Sequence, residues 1–223
     1  MLFFVIGVVL QSCVNFTNIQ SARTLGPNRE KDHYIYTRVT TAVVEDEVEG
    51  VFVVPEFVYK KKIKNKLDWG LKVGLDTRVT GQLKYQFVGN SVSKFAMSVM
   101  PETGVSFFPV KDSPDYVHQV PITWQAEIPL LMTYHFSNTF YFTAAPKLLN
   151  YYTPKGNFSM FAASAGIQFG KKVNWTFAYS YYKRLSNPSY AESLGDNGHI
   201  FEVGLKFNLF NNNKVFAPRF SFD

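Results

Sequence analysis

Alternation of apolar and polar side chains is the dominant signal along this chain. Leu67, Trp69, Leu71, Val73 and Leu75 share one face, and Asp68, Gly70, Lys72, Gly74 and Asp76 the other. A period of two marks an extended strand, because successive side chains point to opposite sides of a sheet. The pattern returns over residues 79–87, 175–182 and 201–209, and in a longer form over 122–136. Weaker strands are predicted near residues 33–44, 50–61, 94–108, 139–152 and 157–170. No comparable run has helical spacing, so the chain is predicted to be all-β with about ten strands, eight being the alternative count. Pro55, Pro101, Pro129 and Pro146 fall inside four of the strands. Each predicts a bulge or a local break, since proline cannot donate to a ladder.

The connections carry a second regularity. Short turns are predicted at residues 62–66, 89–93, 137–138 and 171–173, and longer segments at 45–49, 109–118, 153–156 and 186–198. The two kinds alternate, apart from a short link at 76–79, as they do when one rim of a barrel carries tight turns and the other carries loops. An even strand number then puts both chain ends on the turn side.

Composition turns this pattern toward the membrane. The chain is 46% hydrophobic and 17% aromatic, with 22 Phe and 13 Tyr, which is too apolar for a disordered protein. Yet no run reaches the roughly 18 apolar residues of a spanning helix. The expected architecture is therefore a closed antiparallel up-and-down transmembrane β-barrel. Its polar face is rich in small residues (Gly70, Gly74, Ala162, Ser164, Gly166, Ala178, Ser180, Gly204), which suits a narrow lumen. Charges on that face, Glu56, Asp68, Lys72, Lys84, Glu102, Glu127, Glu202 and Lys206, are predicted to point inward and pair, because isolated charges in lipid are costly. Trp69, Trp124 and Trp175 are assigned to the interfacial aromatic belts. A soluble lipocalin-like carrier, with the apolar face lining the inside, is the architectural alternative.

The chain opens with ten residues of which nine are apolar, followed by Gln11, Ser12 and Cys13. That length suits the h-region of a signal peptide rather than a membrane span, although no Lys or Arg precedes it. Leu10-Gln11-Ser12-Cys13 resembles the lipobox of bacterial lipoproteins, in which cleavage precedes an acylated cysteine. The expected division is a signal peptide over 1–12, a lipid-anchored segment over 13–32, the barrel over 33–210 and a tail over 211–223.

The segment from Glu202 to Leu209 (Glu-Val-Gly-Leu-Lys-Phe-Asn-Leu) is similar to the terminal signal of small outer-membrane β-barrel proteins of Gram-negative bacteria, although the chain continues to Asp223. The segment from Gln20 to Gly26 resembles the opening of uncharacterised barrel lipoproteins of Bacteroidota. The resemblance implies export to the outer membrane, contact with its lipids and assembly by the barrel-assembly machinery. It implies little about activity.

Catalytic and ligand-binding motifs are sparse. His33, His118, His135 and His199 lack ligand spacing, and no metal or cofactor is expected. A basic cluster (Lys60, Lys61, Lys62, Lys64, Lys66) is read as a turn at lipid headgroups rather than a nucleic-acid site, and the acidic run at 45–49 as a solvated loop. Ser186, Ser189, Glu192, Ser193, Asp196 and His199 would supply an acyl-chain-modifying enzyme of lipid A or phospholipid, the functional alternative. The favoured expectation is a non-enzymatic barrel with a structural or envelope role, or a narrow passage for small solutes.

Overall fold

The computed structural model describes residues 20–26, 30–44, 47–75, 77–107, 122–153, 156–171, 173–186 and 197–209. Eleven strand segments follow one another: β1 (Lys31–Val44), β2 (Glu47–Lys64), β3 (Leu67–Gly74), β4 (Arg78–Val88), β5 (Phe95–Val99), β6 (Glu102–Phe107), β7 (Ile122–His135), β8 (Phe140–Thr153), β9 (Gly156–Phe169), β10 (Val173–Arg184) and β11 (Asn197–Asn208). All pairings are antiparallel, and β11 pairs with both β10 and β1, which closes the sheet. β5 and β6 both lie between β4 and β7, so they are two halves of one stave. The protein is a closed ten-stave up-and-down barrel. Among the described residues no helix is long and apolar enough to cross a membrane.

The prolines divide in their effects. Pro101 breaks its stave between β5 and β6, yet its carbonyl accepts from Leu83 N (3.0 Å), while Met100 N donates to Pro129 O (3.1 Å). Near Pro129 and Pro146, the β7–β8 ladder lapses between Pro129↔Lys147 and Met132↔Ala144. Pro55 departs from expectation, because it pairs with Thr37 without any register shift. Its carbonyl points toward β3 and accepts from Leu75 N (3.0 Å). In an extended strand the N of the same residue points that way too, so the missing N–H falls at the end of the β2–β3 ladder, where it forfeits one terminal hydrogen bond and leaves the register intact. The register shifts lie elsewhere, between Ala42 and Val43, Lys62 and Lys64, and Gln86 and Val88.

Other boundaries also move. The barrel runs from Lys31 to Asn208, and β2 continues to Lys64, through most of the turn expected at 62–66. That turn narrows to Asn65 and Lys66, with Lys66 at φ 65°. Between β9 and β10 the backbone turns at Gly170 (φ 128°), where a Cβ would lie 2.0 Å from Val173 O. Only glycine fits there. β1 begins and β11 ends at the same rim, which also carries the tight turns. The tail, residues 211–223, lies outside the described residues.

The faces are unambiguous. Leu71 and Phe177 are 37% and 41% exposed, while their neighbours Lys72 and Glu202 are 4% and 2% exposed. A lipocalin-like carrier needs the opposite arrangement, with apolar staves inward and charge outward, so that alternative is corrected. The core of this protein is the inside of the barrel. At the loop rim it is apolar, filled by Leu149, Tyr151, Phe158, Met160, Tyr182 and Ile200. Charge and an inserted segment fill the rest.

Candidate functional site in the filled lumen

The inward positions of the staves bring six carboxylates and six cations to 8% exposure or less: Asp32, Glu56, Asp68, Glu102, Glu127 and Glu202 with Arg38, Lys60, Lys72, Arg78, Lys84 and Lys147. A buried charge is tolerated only when paired and hydrogen-bonded. Glu56 is gripped by two guanidiniums, Arg38 at 2.9 Å and Arg78. Arg38 also lies 3.9 Å from Glu202, which accepts from the Tyr36 hydroxyl. Tyr36 reaches Glu202 by lying across Gly204, where a Cβ would meet the Tyr36 hydroxyl oxygen at 2.3 Å. An aromatic ring packed over a strand glycine is a recurrent device for pinning register.

Glu102 and Glu127 stand directly opposite each other on β6 and β7. Like charges so placed repel, and each carboxylate has its own ammonium: Lys72 at 2.5 Å from Glu102 and Lys147 at 2.9 Å from Glu127. Near the turn rim, Lys84 lies 4.0 Å from Asp68 and Lys206 lies 3.6 Å from Asp32, with the Lys206 ammonium 3.8 Å from the centre of the Tyr34 ring. Every lumen charge named from the sequence therefore lies on the inner wall, with Lys206 the least buried. Their partners Arg38, Arg78, Lys147 and Asp32 were not identified from the sequence.

The turn-side lumen holds a second feature that alternation does not reveal. Residues 20–26 run inside the barrel as an irregular strap with a bend at Ala22, from Gln20 beside Lys60 and Gln82 to Gly26 beside Ser91 at the rim. Instead of joining a ladder, the strap takes its hydrogen bonds mainly from wall side chains. Ala22 N donates to Thr133 Oγ1 (2.8 Å), Thr24 N and Oγ1 both donate to Gln86 Oε1 (2.9 Å each), and Leu25 N donates to Asp68 Oδ2 (2.8 Å). Lys84 Nζ donates to the carbonyls of Arg23 (2.7 Å) and Ser21 (3.3 Å). The Arg23 guanidinium binds Ser93 O, and the Ser21 hydroxyl lies 3.1 Å from His135 Nε2. Ala22 is fully buried against Ala96, Met100, Leu131 and Ala145.

The remaining expectations scatter. Trp69 and Trp175 lie on the outer face toward the turn rim and Trp124 on the outer face toward the loop rim. Cys13, His118, Ser189, Glu192, Ser193 and Asp196 lie outside the described residues. Ser186 accepts from Ser159 N (2.8 Å), whereas His199 Nδ1 is 2.6 Å from the Tyr179 hydroxyl. The structure thus engages Ser186 and His199 with different partners. Lys60 belongs to the lumen and not to a turn. Among the described residues no group of three or more His, Cys, Asp or Glu is placed to hold a metal ion.

No family model matches the chain, and neither does any curated protein. Solved structures of similar shape include a bacterial polysaccharide outer membrane secretin (TM-score 0.45, 8% identity), aligned over 80% of this chain and 66% of that one, just under two thirds of its length. The translocator domain of the autotransporter NalP from Neisseria meningitidis aligns at TM-score 0.40 and 10% identity, over 81% of this chain and 88% of that one. Neisserial surface protein A aligns at TM-score 0.28 and 8% identity, over 80% and 96%. At these TM-scores and identities the alignments carry no argument about this chain.

Replacing Gln86 by Leu tests the strap. The substitution removes the acceptor of two Thr24 donors, a loss on the order of 1–3 kcal/mol for buried groups. Hydrogen exchange at the Ala22, Thr24 and Leu25 amides is expected to quicken about tenfold or more, with β9 and β10 unchanged. Unchanged exchange at those amides would show that the strap does not depend on this contact.

Proposed function

We propose that the chain is an integral outer-membrane β-barrel whose lumen is permanently filled, giving it a structural or envelope role and no catalysis. The supporting observation is the division of charge between its two faces. Described outward positions of the strands carry no carboxylate, and only Lys31, Lys61, Lys64 and Lys183 among cations, whereas twelve charges are buried inside. A soluble monomer rarely shows an apolar patch above a few hundred Å². Here Trp, Phe, Leu, Ile and Val stand exposed on stave after stave around the barrel. Hydrocarbon is the solvent that such a surface matches.

The passage for small solutes is set aside in this reading. Apolar side chains occupy the loop end, ion pairs the middle and the strap the turn end, so each level along the axis has its own obstruction. β11 contains the Glu202-to-Leu209 signal up to Asn208 and is the closing stave, which fits delivery by the barrel-assembly machinery. Refolded into lipid vesicles, the protein should migrate differently on gels with and without boiling. Nitroxides placed along β10 should report oxygen access at positions 175, 177 and 179 and protection at 176, 178 and 180. Planar bilayers containing it should carry no steady single-channel current. A steady current, or nitroxide alternation of the reverse phase, would defeat the reading.

The anchor at Cys13 belongs to the same proposal. Gln20 lies seven Cα steps beyond Cys13, a reach of at most about 25 Å, enough to return from the strap to the turn-side rim. Cys13→Ser is expected to abolish labelling by a clickable palmitate analogue in cells. Persistent labelling would remove the lipobox assignment.

A further inference from the structure

We infer that the outer wall carries a binding site for one anionic phospholipid of the turn-side leaflet, with its phosphate at Lys31 and Lys61 and one acyl chain in a groove beside Pro101. The inference rests on the membrane-barrel reading and gives that barrel a specific lipid partner. Its starting point is a continuous cross-strand row. Lys31 pairs with Lys61, Lys61 with Trp69, Trp69 with Leu83, and Leu83 N bonds to Pro101 O. All five residues face outward and are exposed.

The row descends from the rim. Lys31 is the first residue of β1 and Trp69 the third of β3, while Leu83 is the sixth from the end of β4 and Pro101 lies six residues beyond Phe95. Cations thus stand at headgroup level and the apolar end of the row at acyl-chain level. Trp69 lies between them, where an amphipathic ring is favoured.

The upper end is an unusual concentration of charge. Two of the four outward strand lysines stand directly opposite each other, an arrangement that is destabilising by itself. Outward positions on the neighbouring strands β2, β3 and β4 supply no carboxylate among the described side chains. Lys64 and Lys66 extend the cationic rim into the next turn, and Glu30, exposed just before β1, is the acid of this rim segment. Tyr59 packs edge-on against Trp69 at 5.3 Å and stacks with His33 at 5.2 Å, so an aromatic floor supports the lysines. A phosphate between Lys31 and Lys61 relieves their repulsion and receives two charge-assisted hydrogen bonds.

The lower end is a groove of about 400 Å³ on the outer wall, formed by Trp69, Leu71, Gly81, Leu83, Pro101 and Thr103. Two sequence features create it. Pro101 interrupts its stave, and Gly81 is an outward position without a side chain, where a Cβ would meet nothing nearer than Thr103 O at 3.9 Å. The remaining wall of the groove is apolar. Its chemistry fits a hydrocarbon chain, and its position under the lysine pair fits a chain attached to a phosphate.

The test uses full-length protein carrying Trp124→Phe and Trp175→Phe, which leaves Trp69 as the sole tryptophan. It is refolded into phosphatidylcholine vesicles containing equal fractions of acyl-brominated phosphatidylglycerol or acyl-brominated phosphatidylcholine. Trp69 should be quenched selectively by the brominated anionic lipid, by about fivefold for each engaged lysine. Lys31→Gln with Lys61→Gln should abolish the selectivity, and Gly81→Leu, which fills the groove without touching the lysines, should reduce it. Equal quenching by the two lipids, or selectivity that survives the double lysine substitution, would overturn the site while leaving the barrel intact. No quenching by either lipid would overturn the membrane reading and the site together.

Discussion

Charge neutralisation inside the lumen is the constraint on which the rest of this structure depends. Ten staves with one oily face can close only if the other face is buried in the bore, and that face carries many ionisable groups. Six carboxylates face six cations buried to the same degree, with the less buried Lys206 a further cation beside Asp32. The geometry meets the constraint locally: Glu56 is shared between Arg38 and Arg78, and the opposed Glu102 and Glu127 are held by separate lysines. Pairs of this kind add little stability over an apolar core, but losing one partner is expensive. Their arrangement therefore selects one register of closure more than it strengthens the barrel.

The strap follows from the same constraint at the turn end. Asp68, Lys84, Gln86 and Thr133 are inward and polar, and the bore there is wide enough to admit a peptide. An irregular segment whose side chains are mostly small or polar supplies the N–H and C=O groups that these wall residues need. Ala22, at the bend of the strap, buries its methyl group against Ala96, Met100 and Leu131. The interior is thus completed by the chain's own residues at the turn end, by ion pairs in the middle and by apolar contacts near the loops.

Much of the architecture was legible in the sequence because each stave separates two solvents. Period-two runs such as 67–76 and 175–182 give strand, face and approximate length at once. What stayed hidden depends on pairing in three dimensions. Alternation assigns Glu56 to the lumen but cannot choose Arg38 and Arg78 as its partners, since that choice follows from the closing register between β1 and β11. The strap has no periodicity, and its contacts come from several strands distant in sequence. Composition makes Pro55 a strand breaker, yet its strand is undisturbed, because the missing N–H falls at the end of the β2–β3 ladder and costs only a terminal bond. Composition assigns the lysine run from Lys60 to a turn, although strand alternation sends Lys60 inward and Lys61 outward.

The claim that lumen charges specify the fold through pairing is tested most directly by a double-mutant cycle on Glu56 and Arg78, followed by urea unfolding in lipid vesicles. Glu56→Gln and Arg78→Met should each destabilise the barrel by about 3–5 kcal/mol. The double variant should cost less than their sum by roughly 1–3 kcal/mol, the coupling expected of residues in one network. Single variants costing under about 0.5 kcal/mol, or strictly additive effects, would show that the buried charges do not act on one another and would contradict the account.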